Sequence, residues 1–282
     1  MSAIRGARER ARAEITAAIK EEAGRQLAVH GPSGLSLRAV ARELGMASSA
    51  LYRYFPSRDD LLTALIIDAY NAIGAAAEQA LAEADAAVPP ARAAGPADGT
   101  PPAADPLDRW VAVCRAVRGW AVGHPYEYAL IYGSPVPGYA APQDTVAPAS
   151  RVALTLVSVV RDAHTAGLLG EPAGRPLAGP VRADAGRLAA ELAPELPIRV
   201  IAALVAVWAQ VFGIVSFELF GQFNRVVAAR GEFFEQAAVL LAAQVGLRTD
   251  GGPRAGAIPV GAVATTPGGS AADGGDGVLP AK

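Results

Sequence analysis

The stretch Leu35–Asp60 constrains this chain more than any other, because Gly45 and Pro56 leave room between them for only one short helix. Ahead of that helix, Leu37, Val40, Ala41 and Leu44 fall at i, i+3, i+4 and i+7 and form one apolar stripe. Ser36 stands at its N-cap position. Gly45 follows the stripe where a left-handed residue must end the helix and turn the chain sharply, a conformation that costs glycine little. Pro56 disfavours helical geometry at Phe55, and Ser57 with Asp60 three residues on is a capping box that starts another helix. In the short helix between, Ala50, Leu51 and Phe55 make the buried side, leaving Ser48, Ser49, Tyr52 and Arg53 for solvent or a partner.

Two helices joined by a tight turn are the arrangement that lays the second of them in the major groove of DNA. Arg can form a paired hydrogen bond to guanine, and Ser and Tyr hydroxyls reach phosphates or bases. The same spacing also suits a solvent-facing corner of an ordinary helical protein. Charge is informative only by region. The whole chain carries 25 basic and 27 acidic residues, which excludes a general DNA-coating protein, yet residues 1–60 hold a net +3 and the remainder a net −5. Arg5, Arg8, Arg10 and Arg12 read as a basic arm ahead of the first helix, placed to follow a phosphate strand or enter a minor groove, or simply as a charged terminus.

From about Ile15 to Ala69 the chain resembles the N-terminal domain of tetracycline-repressor (TetR) family transcription regulators. The resemblance is carried without gaps by GLSLRAVARELGMASSALYRYFPSRDDLL. It implies that Ser36 and Arg38 begin a helix touching backbone and one base, and that Ser48, Ser49, Tyr52, Arg53 and Tyr54 lie on the recognition helix. Arg58 takes the place of the family's basic residue at the start of the fourth helix, where cation and helix N-terminus together bind a phosphate. One departure is plain: Ala47, Ser48, Ser49 and Ala50 are small where larger base readers are usual, so the operator sequence is not legible.

With 282 residues, 52% of them apolar, and few segments alternating as strands do, the chain reads as all-α with two domains and tails. The expected layout is an arm and helix-turn-helix domain over 1–56, a connecting helix over 57–87, a Pro/Ala/Gly-rich loop over 88–106, a C-terminal domain over 107–247, and a disordered tail over 248–282. The first thirty residues are charged throughout and offer no signal-peptide h-region, so the cytoplasm is the expected compartment. The lone Cys114 excludes an internal disulfide and a Cys-rich zinc site.

Within the C-terminal domain, Trp110, Val113, Cys114, Val117 and Ala121 share one helical face, and His124-Pro125 interrupts the helix. The run from His124 to Tyr139 then gathers Tyr126, Tyr128, Tyr132 and Tyr139 before Pro and Gly turns. RGWAVGHPYEYALIYGSP resembles the effector domain of the TetR subgroup named for its Trp, His and Gly residues, here Trp120, His124 and Gly133. The resemblance implies a ligand-sensing, dimerising role. Aromatic rings with polar handles suit a pocket for a flat, partly polar small molecule, for which Trp110, Cys114, Arg118, Trp120, His124, Tyr128 and Tyr132 are the expected contacts; each also suits an ordinary core.

Ile198–Phe220 is apolar enough for a membrane span, but Arg199, Gln210 and Glu218 favour the centre of a bundle. Phe234, Ala237, Ala238, Leu241 and Val245 stripe the last helix. The resemblance implies a homodimer through helices near 198–220 and 231–246, set on a roughly palindromic operator. Cys114 with His124 or His164 is the one Cys/His pairing for catalysis, and it sits on an apolar stripe; no cofactor, catalytic set or metal site is expected. The expectation is a ligand-responsive regulator, a repressor released by a small molecule, with an activator or corepressor-type regulator as the alternative.

Overall fold

The computed structural model describes residues 2–87 and 104–247. Most of the expected 88–106 loop and the expected 248–282 tail lie outside the described residues. Among the described residues the architecture is all helical, with a single isolated bridge pairing Leu169 with Leu247.

Helix α1 spans Ser2–His30 and buries Ile19, Ala23 and Leu27, which recur every four residues. It begins earlier than the charge pattern suggests. The four arginines are part of α1 and not an arm before it, because Ala, Arg and Glu around them are all strong helix formers. A single 3₁₀ turn, Pro32–Gly34, leads to α2, Leu37–Glu43, whose Ser36 accepts from the Ala39 N–H at 3.4 Å. Gly45 has φ of +64°, the left-handed turn its position requires. Helix α3, Ser48–Leu51, continues through 3₁₀-type bonds as far as Tyr54, whose N–H donates to Leu51 O at 2.8 Å. Ser57 then caps α4, Arg58–Ala86, accepting from the Asp60 N–H at 3.1 Å and donating to Asp60 Oδ2 at 2.7 Å.

Behind α4 come α5 (Pro106–Gly123), α6 (Pro125–Tyr132), α7 (Val146–Thr165), α8 (Gly179–Leu192), α9 (Ile198–Leu219) and α10 (Arg230–Val245). Two apolar cores result. The first joins α1, α2, α3 and the start of α4 through Ile19, Val40, Leu51, Phe55, Leu61 and Leu62. The second joins the later helices around Trp110, Val117, Tyr128, Leu156, Val207 and Phe234, with Ile73 and Ala77 supplied by the far half of α4. Thus α4 belongs to both cores. Leu130 of α6 is buried in the first core, and Ile131 packs against both, so α6 is a second link between them.

Candidate DNA-reading face and effector cavity

The exposed side of α2 and α3 presents Arg38, Ser48, Ser49, Tyr52 and Arg53, and none of them has a side-chain hydrogen bond within the described residues. Leu51, wholly buried, and Phe55 anchor that helix from beneath, so the exposed set is held on a fixed base. The other three expected residues are engaged inside the protein. The Ser36 hydroxyl caps α2. Tyr54 is half-buried in the first core, with the Arg12 guanidinium 5.3 Å over its ring. Arg58 turns away from the reading face: its Nη2 donates to Pro32 O at 2.7 Å and its Nη1 lies 3.4 Å from Asp59, so it ties α4 to the α1–α2 connection. Tyr54 and Arg58 are packing and tethering residues in this structure.

The C-terminal half contains a cavity of about 790 Å³, within the range of small-molecule sites. Its walls come from Ile66 and Tyr70 of α4, Leu130 and Ile131 of α6, the Gly133–Tyr139 turn, Ala149, Ala153 and Leu156 of α7, Leu188 and Leu192 of α8, and Ile201, Leu204, Val205 and Trp208 of α9. The wall nearest the first core is polar at one point. Tyr139 Oη lies 2.9 Å from Thr63 Oγ1, a hydrogen bond between the cavity lining and α4, and Tyr70 Oη donates weakly to Ile131 O at 3.4 Å. Burial, and the neighbouring Tyr139, raise the Tyr70 phenol above its ordinary value.

None of the seven residues expected to contact a ligand lines this cavity. Trp110 and Cys114 are fully buried in the second core, and Trp110 Nε1 donates to Ala238 O at 3.1 Å. Arg118 holds Glu218 through two bonds of 2.7 and 2.6 Å, which raises its pKa. Tyr128 is fully buried and donates to Phe212 O at 2.9 Å; burial pushes its phenol up to about 12, against the opposing bond with Ser216. Tyr132 stacks on Phe212 at 4.2 Å and meets Tyr70 edge-on, one ring behind the cavity wall. Trp120 and the exposed His124 stack in near-parallel at 5.0 Å, with His124 Nδ1 2.9 Å from Trp120 O. The Trp110 indole and the Tyr128 phenol thus find partners inside the fold, as buried polar groups must.

The subgroup-naming residues stand at helix ends. Trp120 and His124 close α5, and Gly133 closes α6, where an added Cβ would lie 2.3 Å from Ala129 O. Gly133 is therefore required by close approach, and it also lines the cavity.

Sequence reasoning does not find α7 and α8, which supply much of the cavity. A signal for α7 is present: Val152, Leu156, Val159, Val160 and Ala163 form a stripe with Arg151, Ser158 and Arg161 outside it. Nothing comparable marks Ala149 or Ala153 as cavity wall, since a small residue does not reveal whether its neighbours fill the space it leaves.

Cys114 offers a direct check. Burial pushes its thiol from 9.0 up to about 12, so the folded protein holds it both covered and protonated. An acid whose pKa is raised by folding stabilises fully below its unfolded value, and that contribution fades as pH rises from about 9 to about 12. Iodoacetamide at pH 8 is expected to leave native Cys114 unmodified and to alkylate it completely in denaturant. Rapid alkylation of the native protein would contradict this burial.

An exposed reading helix on a helix-turn-helix, carried by a long helix into a bundle with a ligand-sized cavity, defines a DNA-binding transcription regulator. Residues 19–65 match the family model for bacterial regulatory proteins of the tetR family, and residues 110–241 match that for the tetracyclin repressor-like C-terminal domain. The chain is 40% identical over 230 residues to HTH-type transcriptional regulator Rv1816 of Mycobacterium tuberculosis, covering 78% of this chain and 86% of that one. HTH-type transcriptional regulator Mb1846 of Mycobacterium bovis is similar to the same extent. Among solved structures, the regulatory protein SCO4313 superposes with a TM-score of 0.62 at 32% identity, covering 83% of this chain and 98% of that one. A protein of unknown function from Rhodococcus sp. RHA1 shares the fold, with a TM-score of 0.58 at 22% identity over 82% of this chain and 95% of that one. The chain belongs to the TetR family of bacterial regulatory proteins, whose members are regulators and not enzymes.

Proposed function

We propose that this regulator is a cytoplasmic homodimeric repressor, released from a roughly palindromic operator when a small molecule fills the cavity between α4, α6, α7, α8 and α9. The observation that carries this reading is shared residues: Leu130, Ile131, Val136 and Tyr139 line the cavity and also pack against the first core, where the reading helix is anchored. A ligand that shifts these side chains acts on α4 directly, through the Tyr139–Thr63 hydrogen bond. We place the chain in the Trp-His-Gly subgroup, with Trp120, His124 and Gly133 as helix-end residues of the sensing domain.

Dimerisation through α9 and α10 is supported by what these helices leave uncovered. Phe217 on α9, with Phe233, Val239 and Leu240 on α10, are all at least 36% exposed, a concentration of apolar surface typical of an interface. A two-fold pair would set the reading helices roughly 34 to 36 Å apart, one duplex turn. Light scattering at micromolar concentration is expected to return twice the chain mass, and a monomer there would remove this geometry.

The release step has its own test. In fluorescence anisotropy with DNA from the regulator's own upstream region, at fixed salt, a compound found to bind the cavity is expected to weaken DNA binding by about 10-fold or more, about 1.4 kcal/mol of coupling. Linkage is reciprocal. A compound bound equally well with and without operator would show that the cavity does not control release.

A further inference from the structure

We infer that the cavity selects an electrically neutral, mainly apolar ligand with an uncharged polar group, such as a hydroxyl on a hydrocarbon frame. This rests on the reading of the cavity as the effector site. Its 24 lining residues include no Asp, Glu, Lys, Arg or His, so neither an anion nor a cation finds a counter-charge there. An ionised group entering such a space loses water without replacement, which strongly disfavours it.

The polar residues present narrow the chemistry further. Thr145 Oγ1 donates to Pro142 O at 2.8 Å, Ser150 Oγ donates to Val146 O at 2.8 Å, and Tyr70 Oη donates to Ile131 O. Each of these hydroxyl hydrogens is already directed at a backbone carbonyl. Ser134, by contrast, is exposed at the rim, where water serves its hydroxyl. What remains on the three committed oxygens is acceptor capacity, since a hydroxyl has one hydrogen to give and two lone pairs to receive. The donors that stay available are uncharged, namely the Trp208 indole N–H and the Tyr139 hydroxyl, which shares one hydrogen bond with Thr63, so a carboxylate or phosphate meets no cation. A ligand O–H or N–H meets free acceptors. Burial keeps the Tyr70 phenol protonated, so no anionic partner for a cation arises there by titration.

Two dyes of one ring system test the charge rule on the full-length protein. N-phenyl-1-naphthylamine is neutral with one N–H, and 8-anilino-1-naphthalenesulfonate adds a sulfonate. The neutral dye is expected to bind once per chain and to quench emission from Trp208, the tryptophan on the cavity wall, with affinity about 10-fold or more above that of the anion. Ala153→Trp, which fills the cavity from α7, is expected to lower neutral-dye affinity by about 10-fold or more. Ala149→Leu serves the same purpose should the larger substitution prevent folding, which circular dichroism will report. Displacement of the dye at pH 7.5 is then compared for 1-decanol, decanoate and decylammonium, with the alcohol expected to displace best.

Equal affinity for the two dyes, equal displacement by the three chains, no binding of either dye, or binding untouched by both cavity substitutions would each overturn the proposal. The effector reading fails separately: 1-decanol that occupies the cavity without changing DNA affinity removes that reading and leaves the ligand class standing.

Discussion

Trp110→Ala is expected to destabilise the fold by about 3 to 5 kcal/mol, lowering the melting temperature by roughly 6 to 20 °C. The indole is fully buried in the second core, and its Nε1–H holds Ala238 O at 3.1 Å, so the substitution removes packing, opens a void and orphans a carbonyl together. Trp110→Phe keeps most of the apolar packing and loses the hydrogen bond, for which about 1 to 3 kcal/mol is expected. Thermal denaturation followed by circular dichroism reads both. Because Trp110 is away from the cavity, the Phe variant should retain ligand binding unchanged. A Trp110→Ala protein as stable as the parent, with ligand binding abolished, would restore Trp110 to the pocket that its chemistry alone suggests.

The second large effect concerns the reading face. Arg38 and Arg53 are exposed and unpaired within the described residues, whereas Arg58 and Tyr54 are engaged by Pro32 O and Arg12. Arg53→Ala is expected to weaken operator binding by about 1 to 3 kcal/mol if its guanidinium reads a base, with relaxed sequence preference at that position. Pairing with a phosphate gives a different signature: affinity falls evenly across sequences, and the slope of log K against log salt becomes shallower by about 1 for each phosphate left unneutralised. For Arg38→Ala the second pattern is expected. A salt titration on operator and on unrelated DNA separates the two, and full affinity in the Arg38→Ala, Arg53→Ala double variant would move the reading face elsewhere.

The contrast between these two predictions marks what the sequence can tell. The helix-turn-helix is legible because every determinant is local: the Ser36 cap, the Gly45 turn, the restriction before Pro56 and the Ser57–Asp60 cap each act within four residues. The start of α4 follows from the last of these cues. The four early arginines look like an arm only when charge is weighed before helix propensity.

The cavity is not legible for a deeper reason. Trp110, Tyr128 and Tyr132 have the chemistry of ligand-binding groups, but a protein interior uses the same chemistry to satisfy its own indoles and phenols. Which use prevails depends on residues such as Ala238, Phe212 and Ser216, about 80 to 130 positions away. A cavity, moreover, is defined by what fails to fill it, and Ala149 and Ala153 carry no sign of that in sequence.

Helix α4, at 29 residues, is about 43 Å long and a member of both cores; Ile73 and Ala77 seat its far half in the second, and the cavity residues Ile66 and Tyr70 lie on the half that leads to the first, so under the proposed release mechanism it is a lever pivoted near its centre and pushed between pivot and tip. A tilt of about 6° about its centre moves each end by about 2 Å, and two-fold symmetry doubles that at the DNA to about 4 Å. Under that mechanism the travel at the tip for a given tilt scales with its distance from the pivot. The reach from pivot to tip would therefore set how far the operator grip opens for a given ligand.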